Sequence, residues 1–425
     1  MRAESPSRTM AWVLLVTAVS AYMLLSASML LRLGIPYDAP YGPAIAKLHP
    51  GTYCLFLAWF TALSSHGNPL RVLGNQFSRQ PLLTAYLACM LGVFVWAVFR
   101  HGTSGAAFII ESLWTPAIVA FTLDLLDARR QRQIVQMVLV LLACNALLAV
   151  GEALTPQRLT PLHVGRSDIV AEEYFRASAF LGHPLHNALI TAALLPAVTL
   201  LPWSRFWKLV FVGTLMLSLL AFGGRTSVVL AVLLYGAYAA WRVLVSVVRG
   251  RVSYLQLTGG SLALMLALTS MIGVVAATGL GSRIFNNLKI DSSASVRMRV
   301  WDAFGYLSDI DLWMGVAPAQ IDHISLRMGL DPNYEAIENF WIYLFMQFGV
   351  IGFVPFLIGL TCLMLVLLRA ATPPMRIAVL LYLLVASTAN TLASKTVSLM
   401  LLVLVILGGV AFRPVTSNRQ IWSVR

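Results

Sequence analysis

Apolar residues in this chain neither alternate with polar ones nor mark a single helix face. They run on almost unbroken, at about 10–31, 48–64, 82–99, 106–123, 134–154, 179–201, 207–222, 226–247, 257–280, 349–368, 376–393 and 397–412. A hydrocarbon layer of about 30 Å takes about 20 apolar helical residues to cross, and lipid admits only backbone that satisfies its own hydrogen bonds. The pattern therefore predicts an all-α, polytopic membrane protein with about twelve transmembrane helices. The run from Met10 is too long for the core of a signal peptide and no small-residue cleavage site follows it, so it reads as a retained first span. An amphipathic stretch over 338–348 predicts a short helix entering the membrane ahead of the 349–368 span. No internal repeat is visible, against the habit of transporters built from inverted repeats.

Composition narrows this further. Of 425 residues, 59% are hydrophobic and 11% charged, where a soluble domain carries about 25% charge. Such a chain cannot cover a water-facing surface, and it predicts one membrane domain over 1–425 with no separate soluble core. The net charge of +13 lies mostly in short connections. With the N-terminus inside, every inner loop is net basic, including Arg71 and Arg79, the Arg129-Arg130-Gln131-Arg132 stretch, Arg242, Arg249 and Arg251, and Arg369 and Arg376. The only acids there are Glu4, Asp124 and Asp127. That bias sets both ends on the cytoplasmic side and removes nucleic acid as a partner. Two outer loops exceed a turn, 155–178 and 281–337, and connections of that length are usually functional; within the larger, Val296–Leu307 reads as helical. Cys54, Cys89, Cys144 and Cys362 sit inside apolar runs without paired spacing, as small core residues.

The chemistry lies on the outer side. Arg225, in Phe222-Gly-Gly-Arg-Thr-Ser-Val, stands where two spans almost meet. It is either an anchor snorkelling to the interface or an anion ligand, with glycines that let a phosphate approach the backbone. Arg297 and Arg299, in Ser295-Val-Arg-Met-Arg-Val-Trp301, are a solvated loop face or a second anion grip. Arg176 precedes Gly182-His-Pro-Leu-His-Asn187, whose His183 and His186 lack the acid or cysteine that would make them a metal pair. Glu338, followed by Asn339, heads an apolar run. It is either a carboxylate complementing a helix dipole or a base whose partial burial suits proton abstraction. Glu111, within a span, is a site candidate or a structural hydrogen-bond partner. Asp309-Ile-Asp311 is a lone and unspecific D-x-D. No Walker A, H-E-x-x-H or G-x-S-x-G is present.

In order, these motifs resemble those of the O-antigen ligase and Wzy-type polysaccharide polymerase superfamily. The resemblance runs from Arg176 with Gly182-His-Pro and Asn187, through Gly-Gly-Arg225-Thr-Ser, to Arg297 four residues before Trp301. It continues through Gly315-Val-Ala to Glu338-Asn339 ahead of Gly349-Val-Ile-Gly352, and so spans about Arg176–Phe353. Ligases of the superfamily carry histidine where Glu338 stands, so the chain looks more like the exopolysaccharide repeat-unit polymerases, as does Lys47-Leu-His-Pro-Gly-Thr-Tyr53. The resemblance implies a bacterial inner-membrane glycosyltransferase, active at the periplasmic face without metal or other cofactor. It would pass a saccharide chain from undecaprenyl pyrophosphate to a lipid-linked repeat unit. It implies catalytic roles for Glu338, Arg225 and Arg297, and substrate contacts for Arg176, Arg299, His183, Asn187 and Asn339. Membrane lipid, chain-length regulators and export proteins would be further partners. The alternatives are ligation onto lipid A-core and, in another class, flipping of lipid-linked saccharides. A flippase calls for charges spread over several spans, and only Glu111 is clearly mid-span.

Overall fold

The computed structural model describes residues 6–39, 41–103, 105–159, 175–251, 299–330 and 337–413, with isolated positions between 163 and 168 and between 258 and 273. Among them the chain is helical apart from one two-residue antiparallel pair, His163–Val164 with Ser167–Asp168. Seven helices are long and apolar enough to cross a membrane: Pro6–Leu24, Pro81–His101, Ala106–Asp124, Ala128–Leu154, Arg205–Phe222, Arg225–Val248 and Phe340–Ala370. Shorter apolar helices cover Pro184–Leu200, Pro373–Ala386 and Ser398–Phe412, and Pro50–Ser64 adds 15 residues. The apolar run at 257–280 and most of the 281–298 loop fall outside the described residues.

Local chemistry sets where these helices begin. Proline occupies a first-turn position in Pro50–Ser64, Pro81–His101, Pro184–Leu194 and Pro373–Ala386, where its missing N–H costs nothing. Asp127 caps Ala128–Leu154 by accepting from the Arg130 N–H at 2.9 Å. The helix Pro69–Arg79 is amphipathic, with Leu70 exposed and Gln76 buried; it is a surface segment beside the basic connections.

Burial orders the bundle. Of the best 18-residue window in Ala106–Asp124, 83% is buried, against 6% in Arg225–Val248. The first is the centre of the bundle, where it packs against Ser398–Gly409 and Pro50–Ser64. The second presents Val229, Val232, Leu233, Trp241 and Leu244 outward, an apolar face that lipid would cover.

One junction, expected from the sequence as a short helix ahead of a span, shapes one end of the bundle. Within Phe340–Ala370 the short entering helix and the following span are two helices that meet at a sharp kink at Gly349 (φ 60°, ψ −177°). Such a dihedral pair is open essentially to glycine alone. The break strips the carbonyls before it of intrahelical partners, and three outside donors replace them. Val316 N–H donates to Met346 O at 2.8 Å, the His101 ring to Gln347 O at 2.8 Å, and Trp96 Nε1 to Phe348 O at 2.9 Å. Val316 reaches in because the turn at Gly315 (φ +79°) packs directly on the break; a Cβ on Gly349 would collide with Gly315 N and Trp313 O. The described part of the expected Val296–Leu307 helix is a 3₁₀ stretch, Val300–Tyr306, followed by Asp309–Met314 and Pro318–Arg327; residues 296–298 lie outside the described residues.

Gly349→Ala should therefore lose about 1–3 kcal/mol to backbone strain and more to overlap with the Gly315 turn, giving a clear fall in the unfolding temperature of the detergent-purified protein. Gly74→Ala, in Pro69–Arg79 with no atom within 4 Å of the added carbon, should be neutral or gain about 0.5–1 kcal/mol. Equal behaviour of the two variants would contradict the break.

Candidate functional site

Direct bonds gather the sequence's candidates at one end of the bundle. Arg225 is the first residue of its helix, after Gly223 in the left-handed region (φ +66°) and Gly224. A Cβ on Gly224 would come within 2.5 Å of the Ala188 side chain, so the glycine lets this turn lie against Pro184–Leu194. The Arg176 segment crosses the same place, since Ala177 N–H donates to Ala221 O at 3.0 Å. Nε of Arg176 and both Nε and Nη2 of Arg225 are sealed from solvent. Two guanidinium groups thus enter one region of low dielectric, where an anion would be held more strongly than in water.

The Arg176 segment is fixed by a buried polar frame. Glu152 accepts from the Ser178 and Ala179 N–H groups at 2.9 Å each. Asn145 accepts from Phe180 N–H at 2.9 Å and donates to Asn187 Oδ1 at 2.7 Å. Asn187, fully buried, donates to Ser178 O at 2.7 Å and to His183 O at 3.1 Å. Its amide is committed within the protein, so Asn187 positions the arginine segment in place of the substrate contact expected of it.

Glu338 is half-buried and lies one residue before the helix rather than in its first turn. The cap is Asn339, whose Oδ1 accepts from Trp341 N–H at 3.0 Å and Ile342 N–H at 3.3 Å. Asn339 thus caps the helix through its side-chain oxygen, with Glu338 just ahead of the cap. Phe340 N–H donates to Ala389 O at 3.0 Å, which ties this entrance to the turn after Pro373–Ala386. Arg299 is exposed, and its guanidinium donates to Met328 O; it braces the loop. Arg297 lies outside the described residues.

Beside these groups is a cavity of about 910 Å³. His183 and His186 border it, their rings 4.6 Å apart, with His186 Nε2 3.4 Å from Ser394 Oγ. Among the described residues no three His, Cys, Asp or Glu side chains converge as a metal site.

Beside the cavity lies a buried constellation around Glu111, whose partners the sequence reading did not name. Glu111 sits in a π-helical segment, Ile109–Trp114, a distortion that recurs at functional sites. It accepts from the Tyr37 hydroxyl, from the His49 backbone N–H, and from Thr52 Oγ1 at 3.4 Å. Tyr37 O in turn accepts from Lys395 Nζ at 2.6 Å. That ammonium lies 3.5 Å from the Asp38 carboxylate and 4.2 Å from the centre of the Tyr37 ring. Burial first, and then the Glu111 charge, push the Tyr37 phenol well above its ordinary value, so it remains a donor. The signal was available: Lys395 is the sole charged residue between Arg376 and Arg413, and a lone charge at membrane depth marks a site by default. Glu111 thus serves as a hub that holds the 33–47 loop on the cavity wall.

The class that the fold defines is an all-helical protein with several helices long and apolar enough to cross a membrane and a large cavity at one end. No family model matches the chain, and no curated protein matches it.

Glu111→Leu should leave the Tyr37 hydroxyl and the His49 N–H without an acceptor, at about 1–3 kcal/mol each. Glu111→Gln keeps one acceptor oxygen and should lose about half as much. Thermal unfolding of the two variants checks the order; a leucine variant as stable as the glutamine variant would contradict the hub.

Proposed function

We propose that the protein is a polysaccharide polymerase of the bacterial inner membrane, with twelve spans, both ends cytoplasmic and its two long loops periplasmic. It transfers a saccharide chain from undecaprenyl pyrophosphate to a sugar hydroxyl of another lipid-linked repeat unit. The observation that carries this reading is the packing of the Arg176 segment on the helix that leads into the Gly-Gly-Arg225 turn, beside a large cavity whose lining includes Asn390, next to the Ala389 carbonyl that ties down the Glu338 entrance. Glutamate at position 338, where the ligases it resembles carry histidine, favours polymerisation over ligation.

The chemistry follows from the groups. The bond from the sugar's anomeric carbon to the pyrophosphate oxygen breaks, and the electron pair leaves with the pyrophosphate. Arg176, Arg225 and Arg297 offset the charge that develops there. The acceptor oxygen bonds to the anomeric carbon from the opposite face, inverting it, and its proton passes to Glu338. The lipid-pyrophosphate bond supplies the driving force, consistent with the absence of a nucleotide-binding motif.

Two substitutions test this in purified protein supplied with lipid-linked repeat units, with polymer length read on gels. Glu338→Gln keeps shape but cannot take the proton, and turnover should fall about 10²–10⁴-fold, with partial rescue by Glu338→His. Arg225→Lys loses the bidentate fork and should fall about ten- to a hundredfold. Near-normal turnover by Glu338→Gln at normal protein level would overturn the base assignment, and no polymer from the wild type would overturn the reading itself.

A further inference from the structure

Gln347 has an unusual position. It lies two residues before the break at Gly349, and its backbone carbonyl is taken by His101. Its side chain is fully buried, and neither amide atom has a hydrogen-bond partner among the described residues. An amide buried without partners is destabilising unless something that can hydrogen-bond arrives. This side chain borders the 910 Å³ cavity. Next to it is Gly105 (φ +75°), where a Cβ would approach Gln347 Nε2 to 3.0 Å and Pro318 to 3.2 Å. The glycine keeps the space around the amide clear. A second buried atom of the same kind, His183 Nδ1, borders the same cavity and also has no partner among the described residues.

The charges bordering the cavity restrict what it takes. Among the described residues no arginine lines it, and the one lysine that does, Lys395, is already engaged by Asp38 and Tyr37. The described wall therefore offers little to a pyrophosphate, which would need several charge-assisted contacts. What the wall does offer is an amide that donates and accepts, an imidazole nitrogen, serine hydroxyls and several tyrosine rings. Tyr22, Tyr41 and Tyr343 are among them, and such rings pair an apolar face with a polar edge. That mixture matches a neutral ligand with closely spaced hydroxyls and apolar C–H faces.

We propose that the cavity is the saccharide subsite, in which the Gln347 amide and His183 Nδ1 read hydroxyls of an uncharged sugar, while the pyrophosphate lies beyond it at the arginines. The assignment rests on the polymerase reading in taking the ligand to be carbohydrate. It adds a division of labour, with anion recognition at one place and sugar recognition at another.

Ligand-induced thermal shifts of the full-length protein in nanodiscs separate the two. The probes are undecaprenyl pyrophosphate alone, the same lipid bearing a neutral oligosaccharide from the host's lipid-linked pool, and that oligosaccharide cleaved free. The sugar-bearing lipid should bind about tenfold tighter than the bare lipid. Gln347→Met should erase that difference and leave bare-lipid binding unchanged. Gln347→Asn, which retracts the amide by one methylene, should lose most of it. Without ligand, Gln347→Met should unfold at the same or a higher temperature, because it removes an unsatisfied amide; a glutamine that only holds structure would give a lower one. Equal binding of bare and sugar-bearing lipid by the wild type, or an undiminished sugar increment in both variants, overturns the proposal. Loss of bare-lipid binding in Gln347→Met overturns it too, and makes the cavity the pyrophosphate site. An undiminished increment with polymer still formed removes the subsite and leaves the polymerase reading intact. An increment present in the wild type and lost in Gln347→Met, with no polymer formed by the wild type, keeps the subsite and removes the polymerase reading.

Discussion

A backbone carbonyl or N–H in hydrocarbon has no water to turn to, and each one left open costs several kcal/mol. Most of this chain meets that constraint by being helical. One end of the bundle is built where it cannot, at the break in Phe340–Ala370, and there three residues distant in sequence supply the missing donors. Trp96 and His101 come from the end of one long helix and Val316 from a loop. Those three bonds fix the loop helices over the bundle and hold the half-helix Phe340–Phe348 at its angle. They also leave Gln347 beside the cavity. The glycines at 315 and 349 are required because two backbones touch there.

A second buried polar frame holds the other side of the same end. Glu152, Asn145 and Asn187 together accept or donate six hydrogen bonds that shape the Arg176 segment, and Glu111 does the same for Tyr37 and His49 in the connection ahead of Pro50–Ser64. Buried carboxylates of this kind are costly unless fully bonded. Here they organise irregular backbone at a depth where a regular helix would need no help. The irregular segments are those that carry arginines, histidines and the cavity wall, so their cost is incurred at the candidate site.

The apolar runs made the helices legible, because length and composition alone decide whether a segment can face lipid. A helix occupies every described run. The break at Gly349 was not legible as such. The sequence separates an amphipathic half from an apolar span there, and two helices do meet at that point; the contacts of Gly315 show what holds the angle between them. Asn187 and Asn339 looked like ligands because polar groups near a membrane surface do; their hydrogen bonds make them a brace and a cap. Lys395 escaped attention through the opposite error, since basic residues were weighed for orientation and an isolated one on the outer side carried no weight in that count. Arg176, Arg225 and Glu338 were picked out from the sequence, and their shared end of the bundle comes from the contacts of Ala177, Gly224 and Phe340.

The account depends on that end facing away from the basic connections, out of the cell. The direct measurement is labelling of intact cells with a membrane-impermeant maleimide, in a background with the four natural cysteines replaced. Tyr41→Cys, exposed on the cavity rim, should label from outside, and Ala128→Cys, exposed beside the Arg129–Arg132 cluster, should label only after permeabilisation. Labelling of Ala128→Cys in intact cells, with Tyr41→Cys protected, would put the arginines, Glu338 and the cavity on the cytoplasmic side and contradict the account.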